Sequence, residues 1–154
     1  DLKTKYANQY NAGGDNALID GIVGTEDFRT GTWQGYFDTD LIAIVDLGKI
    51  NKKEGRIEVN FLEDQRSWIF LPSEVECLVS FDGRSYESLG SFTVQNTIER
   101  ENVKIQEFIF KHPPRINVKY IKIIAKKLGK LPKWHLGYKH NGRSWLFVDE
   151  IQIK

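Results

Sequence analysis

The chain has 154 residues, the size of one domain with a substantial core, and 40% of them are apolar, which excludes a disordered segment. A balance of 22 Lys and Arg against 21 Asp and Glu leaves a formal charge of +1, so nothing electrostatic points to a nucleic-acid partner. No apolar run approaches the roughly 20 residues that a membrane span needs, and the single Cys77 excludes an internal disulfide and a Cys-rich zinc site. The sequence opens at Asp1 without a signal-peptide pattern and contains no Met. The expectation is of a cytoplasmic chain or of a module cut from a longer protein, and we prefer the second.

In chain order, apolar residues recur in short runs, mostly at period two, broken by turn residues; no helical periodicity stands out. Leu41 to Val45 is a continuous apolar run, as expected of a strand buried on both faces. Ile57, Val59 and Phe61 alternate with Arg56, Glu58 and Asn60. Val75, Cys77, Val79 and Phe81 alternate next, which turns Cys77 into the core as an inert thiol. Asp82-Gly83 marks a hairpin, with the return strand at Tyr86 to Phe92. Phe108 and Phe110 lie on a further strand that Pro113-Pro114 stops. Asn117 to Ala125 is the next strand, and Trp145 to Ile153 closes the domain. Seven or eight short strands without β-α-β alternation predict a single all-β sandwich or jelly roll and exclude a TIM barrel or Rossmann fold.

Three connections are long. Gly24 to Asp40 holds Asp27, Arg29, Trp33, Tyr36 and Phe37. Glu63 to Pro72 holds Arg66 and Trp68. Gly129 to Ser144 holds Trp134, His135, Tyr138, His140 and Arg143. Aromatic and hydrogen-bonding residues gathered in long loops are where a β-scaffold keeps its function.

These residues carry a resemblance. Ala17-Leu18-Ile19-Asp20-Gly21 with Thr25 and Trp33 resembles the opening of discoidin (coagulation factor type C) domains. Val45-Asp46-Leu47-Gly48, Ser80-Phe81-Asp82-Gly83 with Tyr86, Tyr120-Ile121-Lys122-Ile123 and Val148-Asp149-Glu150-Ile151 resemble later motifs of that family, in order along almost the whole chain. Lys122 stands where the family has a second Arg. Leu128 to His135, Ser144 to Glu150, Trp33-Gln34-Gly35 and Ser67 to Pro72 resemble the C-terminal modules of bacterial chitobiases (β-hexosaminidases), which are like the family 32 carbohydrate-binding modules. The resemblance implies an eight-stranded, galactose-binding-domain-like jelly roll outside the cytoplasm: extracellular, periplasmic or at the cell surface. It implies a non-catalytic module that holds the catalytic domain of its parent glycoside hydrolase on a glycan.

From spacing alone, Asp20-Gly21 is a turn and Glu150 a surface carboxylate. The resemblance implies more, because many sugar-binding discoidin-type modules carry a structural Ca²⁺. Its ligands here would be Asp20, Thr25, Glu150 and the carbonyls of Ala17 and Ile22, an oxygen-only set suited to a hard cation. The family often has Asn where Ile22 stands, a change that a carbonyl ligand tolerates.

A sugar needs an aromatic platform and bidentate polar groups. Trp68, Trp134 and Tyr138 are the candidate platforms, and Asp27, Arg29, Arg66 and His135 the candidate hydrogen-bonders. The expected ligand is a terminal N-acetylhexosamine or galactose. Packing is the competing role: Trp33 and Trp145 fit a core, while Trp68 and Trp134 suit either role. Two further readings stand beside these. Asp149-Glu150 resembles the catalytic pair of family 20 hexosaminidases, yet neighbours in a strand point to opposite faces and cannot both aim at one bond. Trp68-Ile69-Phe70-Leu71 has the composition of a lipid-dipping spike, without the basic patch that anionic lipid favours; a spacer without ligand is the third alternative.

Overall fold

The computed structural model describes residues 1–51, 54–96, 98–114 and 116–154. Among them run eight strands: β1 Gln34–Phe37, β2 Leu41–Asn51, β3 Gly55–Glu63, β4 Glu74–Ser80, β5 Glu87–Thr93, β6 Lys104–His112, β7 Val118–Lys126 and β8 Trp145–Ile153. Short 3-10 turns and no α-helix accompany them among the described residues. The strands pair antiparallel into two four-stranded sheets, ordered β1-β8-β3-β6 and β2-β7-β4-β5. The chain is thus the expected eight-stranded β-sandwich.

Period-two patterning builds the layer between the sheets. Val75, Cys77 and Val79 of β4 lie beside Ala125, Ile123 and Ile121 of β7, all at 2% exposure or less. Burial pushes the Cys77 thiol up to about 12, as expected of a small core hydrophobe. From the other sheet Val59, Phe61 and Val148 close the core with no exposure at all.

Three strands depart from their sequence patterns, each for a reason of cover. The run at the start of β2 is not buried on both faces: Leu41 and Ala43 face the core, whereas Ile42 and Ile44 are half-buried on the outer face. The N-terminal segment lies along β2, with Leu2 bridging Ala43 and Lys3 N–H donating to the Ile42 carbonyl (2.8 Å). β3 departs the other way. Glu58, expected outward, is 3% exposed and Leu62 fully buried. Its carboxylate is held by Arg56 and Lys154. Phe81 is 55% exposed because β4 ends at Ser80, where the Asp82 turn begins.

The outer face of the first sheet carries a second apolar cluster of Trp33, Leu62, Ile69 and Phe147, roofed by Tyr10 and Phe28. Trp33 has no exposed surface, and its indole N–H donates to the Thr25 carbonyl (2.7 Å), so its one polar atom is satisfied. The roof needs two glycines. A Cβ at Gly24 would stand 2.3 Å from Trp33 Cε2, and one at Gly35 would stand 2.6 Å from Phe147 Cε1. Gly35 belongs to β1, a strand of four residues inside a segment that reads as loop.

Register decides where the loops go. Glu63 at the end of β3 faces Lys104 at the start of β6, and Glu74 at the start of β4 faces Lys126 at the end of β7. The connections 64–73, 94–103 and 127–144 therefore meet at one end of the sandwich.

A loop-end cleft and a carboxylate-held N-terminal loop

The 64–73 connection leaves β3 through a 3-10 turn at Gln65–Ser67 and reverses at Trp68. Trp68 sits at φ +64, a region a bulky side chain rarely occupies. The surroundings hold it there. Asp64 and Ile69 exchange both backbone hydrogen bonds (3.0 Å each), and the Trp68 carbonyl accepts from Trp145 N–H (2.8 Å). Ile69, Phe70 and Leu71 are then buried at 5% exposure or less, so this segment is packing rather than a lipid spike.

Gln65 fastens the second wall. Its side-chain amide donates to the Ile98 carbonyl (3.0 Å), and its Oε1 accepts from Arg100 N–H (2.7 Å). Behind it, buried Glu63 takes Gln65 Nε2 (3.1 Å) and lies 3.2 Å from Arg100 Nε. The third wall is the turn at Leu136–Lys139, whose cap is His135. Together the three connections enclose a cleft of about 270 Å³ lined by Gln65, Arg66, Trp68, Glu99, Arg100, Glu101, Trp134, His135 and Leu136. Trp68 and Trp134 are half-buried, and Leu136 stands 83% exposed at the edge. Arg66 lies 3.9 Å from Glu101 with both side chains mostly exposed, a pair too loose to tie either down. A larger depression of about 850 Å³, lined by Arg56, Leu89, Pro113 and Ile116 among others, offers no Trp, Tyr or Phe ring to a ligand.

Four of the seven sequence candidates for sugar binding thus meet: Arg66, Trp68, Trp134 and His135. His135 is not free to bond a ligand, because both ring nitrogens are taken by main-chain groups, the Gln65 carbonyl (2.8 Å) and Gly137 N–H (3.0 Å). Asp27 and Arg29 lie outside the cleft. They form a two-point ion pair (Nε–Oδ1 2.7 Å, Nη2–Oδ2 2.9 Å) that caps the turn Phe28–Thr30. Hydrogen bonds from Arg29 hold the Asp27 carboxyl below its usual value. Tyr138 also lies outside, its ring under Lys130 Nζ at 4.2 Å. Glu99, Arg100, Glu101 and Leu136 were missed in the sequence. The signal for the first three was the polar run between the strands at Phe92 and Phe108, a fourth long connection.

Of the proposed calcium ligands, the Asp20 and Glu150 carboxylates lie near enough to interact across the N-terminal loop and β8. Glu150 is 5% exposed, not a surface carboxylate, because the turn Ala17–Ile19 packs on β8 and covers it. Burial pushes its carboxyl above the ordinary value; Gly21 N–H opposes this and the charge of Asp20 adds to it. Its Oε2 is buried without a hydrogen-bond partner. A bare buried carboxylate oxygen close to a second carboxylate fits a hard cation. Asp20 Oδ1 accepts from Ile22 N–H (2.8 Å), which folds the loop back on itself. Thr25 is engaged elsewhere: its hydroxyl contacts the Asp27 carbonyl (3.2 Å) and its carbonyl takes the Trp33 indole. Among the described residues no three His, Cys, Asp or Glu side chains gather around one point, so an ion here would lean on Asp20, Glu150 and main-chain carbonyls. Neighbouring Asp149 is fully buried and accepts from Gly24 N–H (2.8 Å) and Asn60 Nδ2 (3.3 Å). Asp149 and Glu150 therefore anchor the N-terminal loop at two points.

No family model matches the chain and no curated protein matches it. Solved structures do. Carbohydrate-binding module CBM32-1 of a family 31 glycoside hydrolase from Clostridium perfringens is 19% identical at TM-score 0.54, over 99% of this chain and 92% of that one. The C-terminal domain of a chitobiase from Bacteroides fragilis is 19% identical at TM-score 0.53, over 100% of this chain and 91% of that one. A CBM32 domain of Clostridium perfringens, solved in complex with GalNAc-β-1,3-galactose, is 14% identical at TM-score 0.52, over 99% and 91% of the two chains. The fold is therefore that of the family 32 carbohydrate-binding modules, a discoidin-like sandwich. The chitobiase C-terminal domain, whose loop motifs the sequence resembles, shares this fold.

Proposed function

We propose that the chain is a non-catalytic module that binds the end of a glycan in the loop-end cleft and holds an attached glycoside hydrolase of chitobiase type on its substrate. The observation that carries this reading is the convergence of three long connections on Trp68 and Trp134, with Arg66, Glu99 and Glu101 at the mouth. The indole faces would stack on the apolar face of a pyranose, and the guanidinium and carboxylates would bond its hydroxyls. A terminal N-acetylhexosamine or galactose is the ligand class, supported by the fold shared with a module solved on GalNAc-β-1,3-galactose. The buried Asp149 and Glu150 act in this reading as loop anchors, Glu150 with a Ca²⁺ shared with Asp20 and the Ala17 and Ile22 carbonyls. A non-cytoplasmic setting follows from the same role.

Affinity should be weak, with a dissociation constant of about 0.1–1 mM, because the contact is small and water hydrogen bonds are merely exchanged. The test is calorimetric titration with GalNAc-β-1,3-galactose, followed by a glycan array, on the wild type, Trp68→Ala and Trp134→Ala. Loss of binding in both variants, with Trp134→Ala melting close to wild type, supports the cleft. A fall of about 3–5 kcal/mol in the stability of both would instead make the two indoles packing residues. An unresponsive array would leave a spacer.

A further inference from the structure

We propose that the side-chain amide of Gln65 is the positioning residue that sets specificity in the cleft: it fixes the wall that carries the polar groups, while the aromatic platform stands without it. The consequence for sugars rests on the glycan reading; the division of the cleft into two separately held halves does not.

Gln65 is 4% exposed, and its amide fits in one orientation only. Arg100 N–H can only donate, so the side-chain atom 2.7 Å from it is the amide oxygen. The amide hydrogens then go to two acceptors, the Ile98 carbonyl (3.0 Å) and Glu63 Oε1 (3.1 Å). A flipped amide would set donor against donor at Arg100 and acceptor against acceptor at Ile98 and Glu63. Glu63 is itself 2% exposed and paired with Lys104 in the β3–β6 ladder, so the amide passes the position of a strand to a loop.

That loop has little else to hold it. Ile98, Glu99, Arg100 and Glu101 are exposed and belong to no strand. Asn96 Nδ2 donates to the Leu71 carbonyl (3.0 Å) and secures the base of the connection. Beyond it, among the described residues, the hydrogen bonds that tie the main chain of 98–101 to the rest of the fold are the two to Gln65. The exposed Arg66–Glu101 pair at 3.9 Å is too loose to replace them.

The platform is held differently. Trp68 and Trp134 lie against the His135 ring, at 5.3 and 5.8 Å between centroids. That ring bonds the Gln65 main-chain carbonyl (2.8 Å) and Gly137 N–H (3.0 Å), and neither bond uses the Gln65 side chain. The two halves also do different chemistry. Stacking on an indole supplies affinity mainly through the apolar face it covers. The direction of a hydroxyl is read by hydrogen bonds, which are directional only where the protein groups are fixed. Arg100 is the polar group of this wall with two anchors, its N–H on Gln65 and its Nε 3.2 Å from buried Glu63.

The test titrates isotope-labelled protein with the methyl β-glycosides of N-acetylgalactosamine and N-acetylglucosamine, epimers that differ in the direction of one hydroxyl. In wild type the two dissociation constants should differ roughly tenfold, the discrimination of about one hydrogen bond. The Arg100 amide should exchange with solvent slowly for a residue outside any strand. Gln65→Met keeps a long unbranched side chain and removes the bonds to Arg100, Ile98 and Glu63. There the Arg100 amide should exchange freely and the epimer ratio should fall to near one, with weak binding retained and the Gly137 amide resonance in place. A ratio that survives in Gln65→Met, or a wild type that binds both epimers equally, overturns the proposal. So does a wild-type Arg100 amide that exchanges as in an unfolded chain, a measurement that needs no variant to fold. An Arg100 amide protected in wild type and freed in Gln65→Met, in a protein that binds neither sugar, supports the divided cleft and removes the glycan reading instead.

Discussion

At the scale of single residues, the molecule assigns opposite fates to side chains that look alike on paper. Trp33 is fully buried with its indole satisfied, whereas Trp68 and Trp134 are half-buried and line a cleft. Nothing in the tripeptides around them separates these roles, because the difference is made by what packs above each ring. Cys77 was legible: alternation with Val75 and Val79 turns it inward, and the structure agrees. Its thiol, pushed up to about 12 by burial, should resist alkylation by iodoacetamide at pH 8–9. Mass spectrometry should find it unmodified in the native protein and fully modified in denaturant. Rapid native labelling would show that the core between the sheets opens. His135 was legible only as a polar residue in a functional loop. Its Nδ1 caps the local turn at Gly137, but the engagement of Nε2 depends on Gln65, 70 residues away in sequence.

At the scale of elements, turns carry more of the order than the strand patterns suggest. The Asp82 turn shows how. Its Oδ1 accepts from Arg84 N–H (2.8 Å), Ser85 N–H (2.9 Å) and the Ser80 hydroxyl (3.1 Å). The Ser85 N–H, then the Arg84 N–H, hold the carboxyl below its ordinary 3.8. A carboxyl whose folded value is depressed stabilises the native state above its unfolded value and loses that contribution as pH falls through the folded one. Asp82→Asn should therefore melt below wild type at neutral pH, with the gap closing as pH drops below 3.8. Differential scanning calorimetry across that range checks it, and a gap that widens in acid would refute it. Strands β3 to β8 are legible in period-two patterning and turn residues. β1 was hidden because its four residues, Gln34 to Phe37, alternate nothing, being buried on three successive positions.

At the scale of the whole molecule, the N-terminal loop is tied to the last strand across the full length of the chain. Gly24 bonds Asp149, and the Asp20-Gly21 segment bonds Glu150. A Ca²⁺ that binds only the folded state adds about 2.7 kcal/mol at a hundredfold excess over its dissociation constant, a shift of roughly 5–10 °C for a domain of this size. Thermal melts with calcium and with EGTA should differ by that much in wild type and not at all in Asp20→Ala. Identical wild-type melts would leave Gly24, Asp20 and Gly21 held by carboxylates alone.

The amino-acid sequence by itself determined the class of fold, seven of its eight strands, the buried face of β4, and two of the three connections that line the cleft. Alternation and turn chemistry are local, and they fix local outcomes. Tertiary structure decided the rest. It buried Glu58, held by Arg56 and Lys154, and Glu150, over which the turn Ala17–Ile19 packs, although both read as surface carboxylates. It separated Asp27, Arg29 and Tyr138 from Arg66, Trp68 and Trp134, and brought in Glu99, Arg100 and Glu101. A cleft made of three connections distant in sequence is set by strand register, and register is a property of pairs of strands rather than of any one stretch of chain.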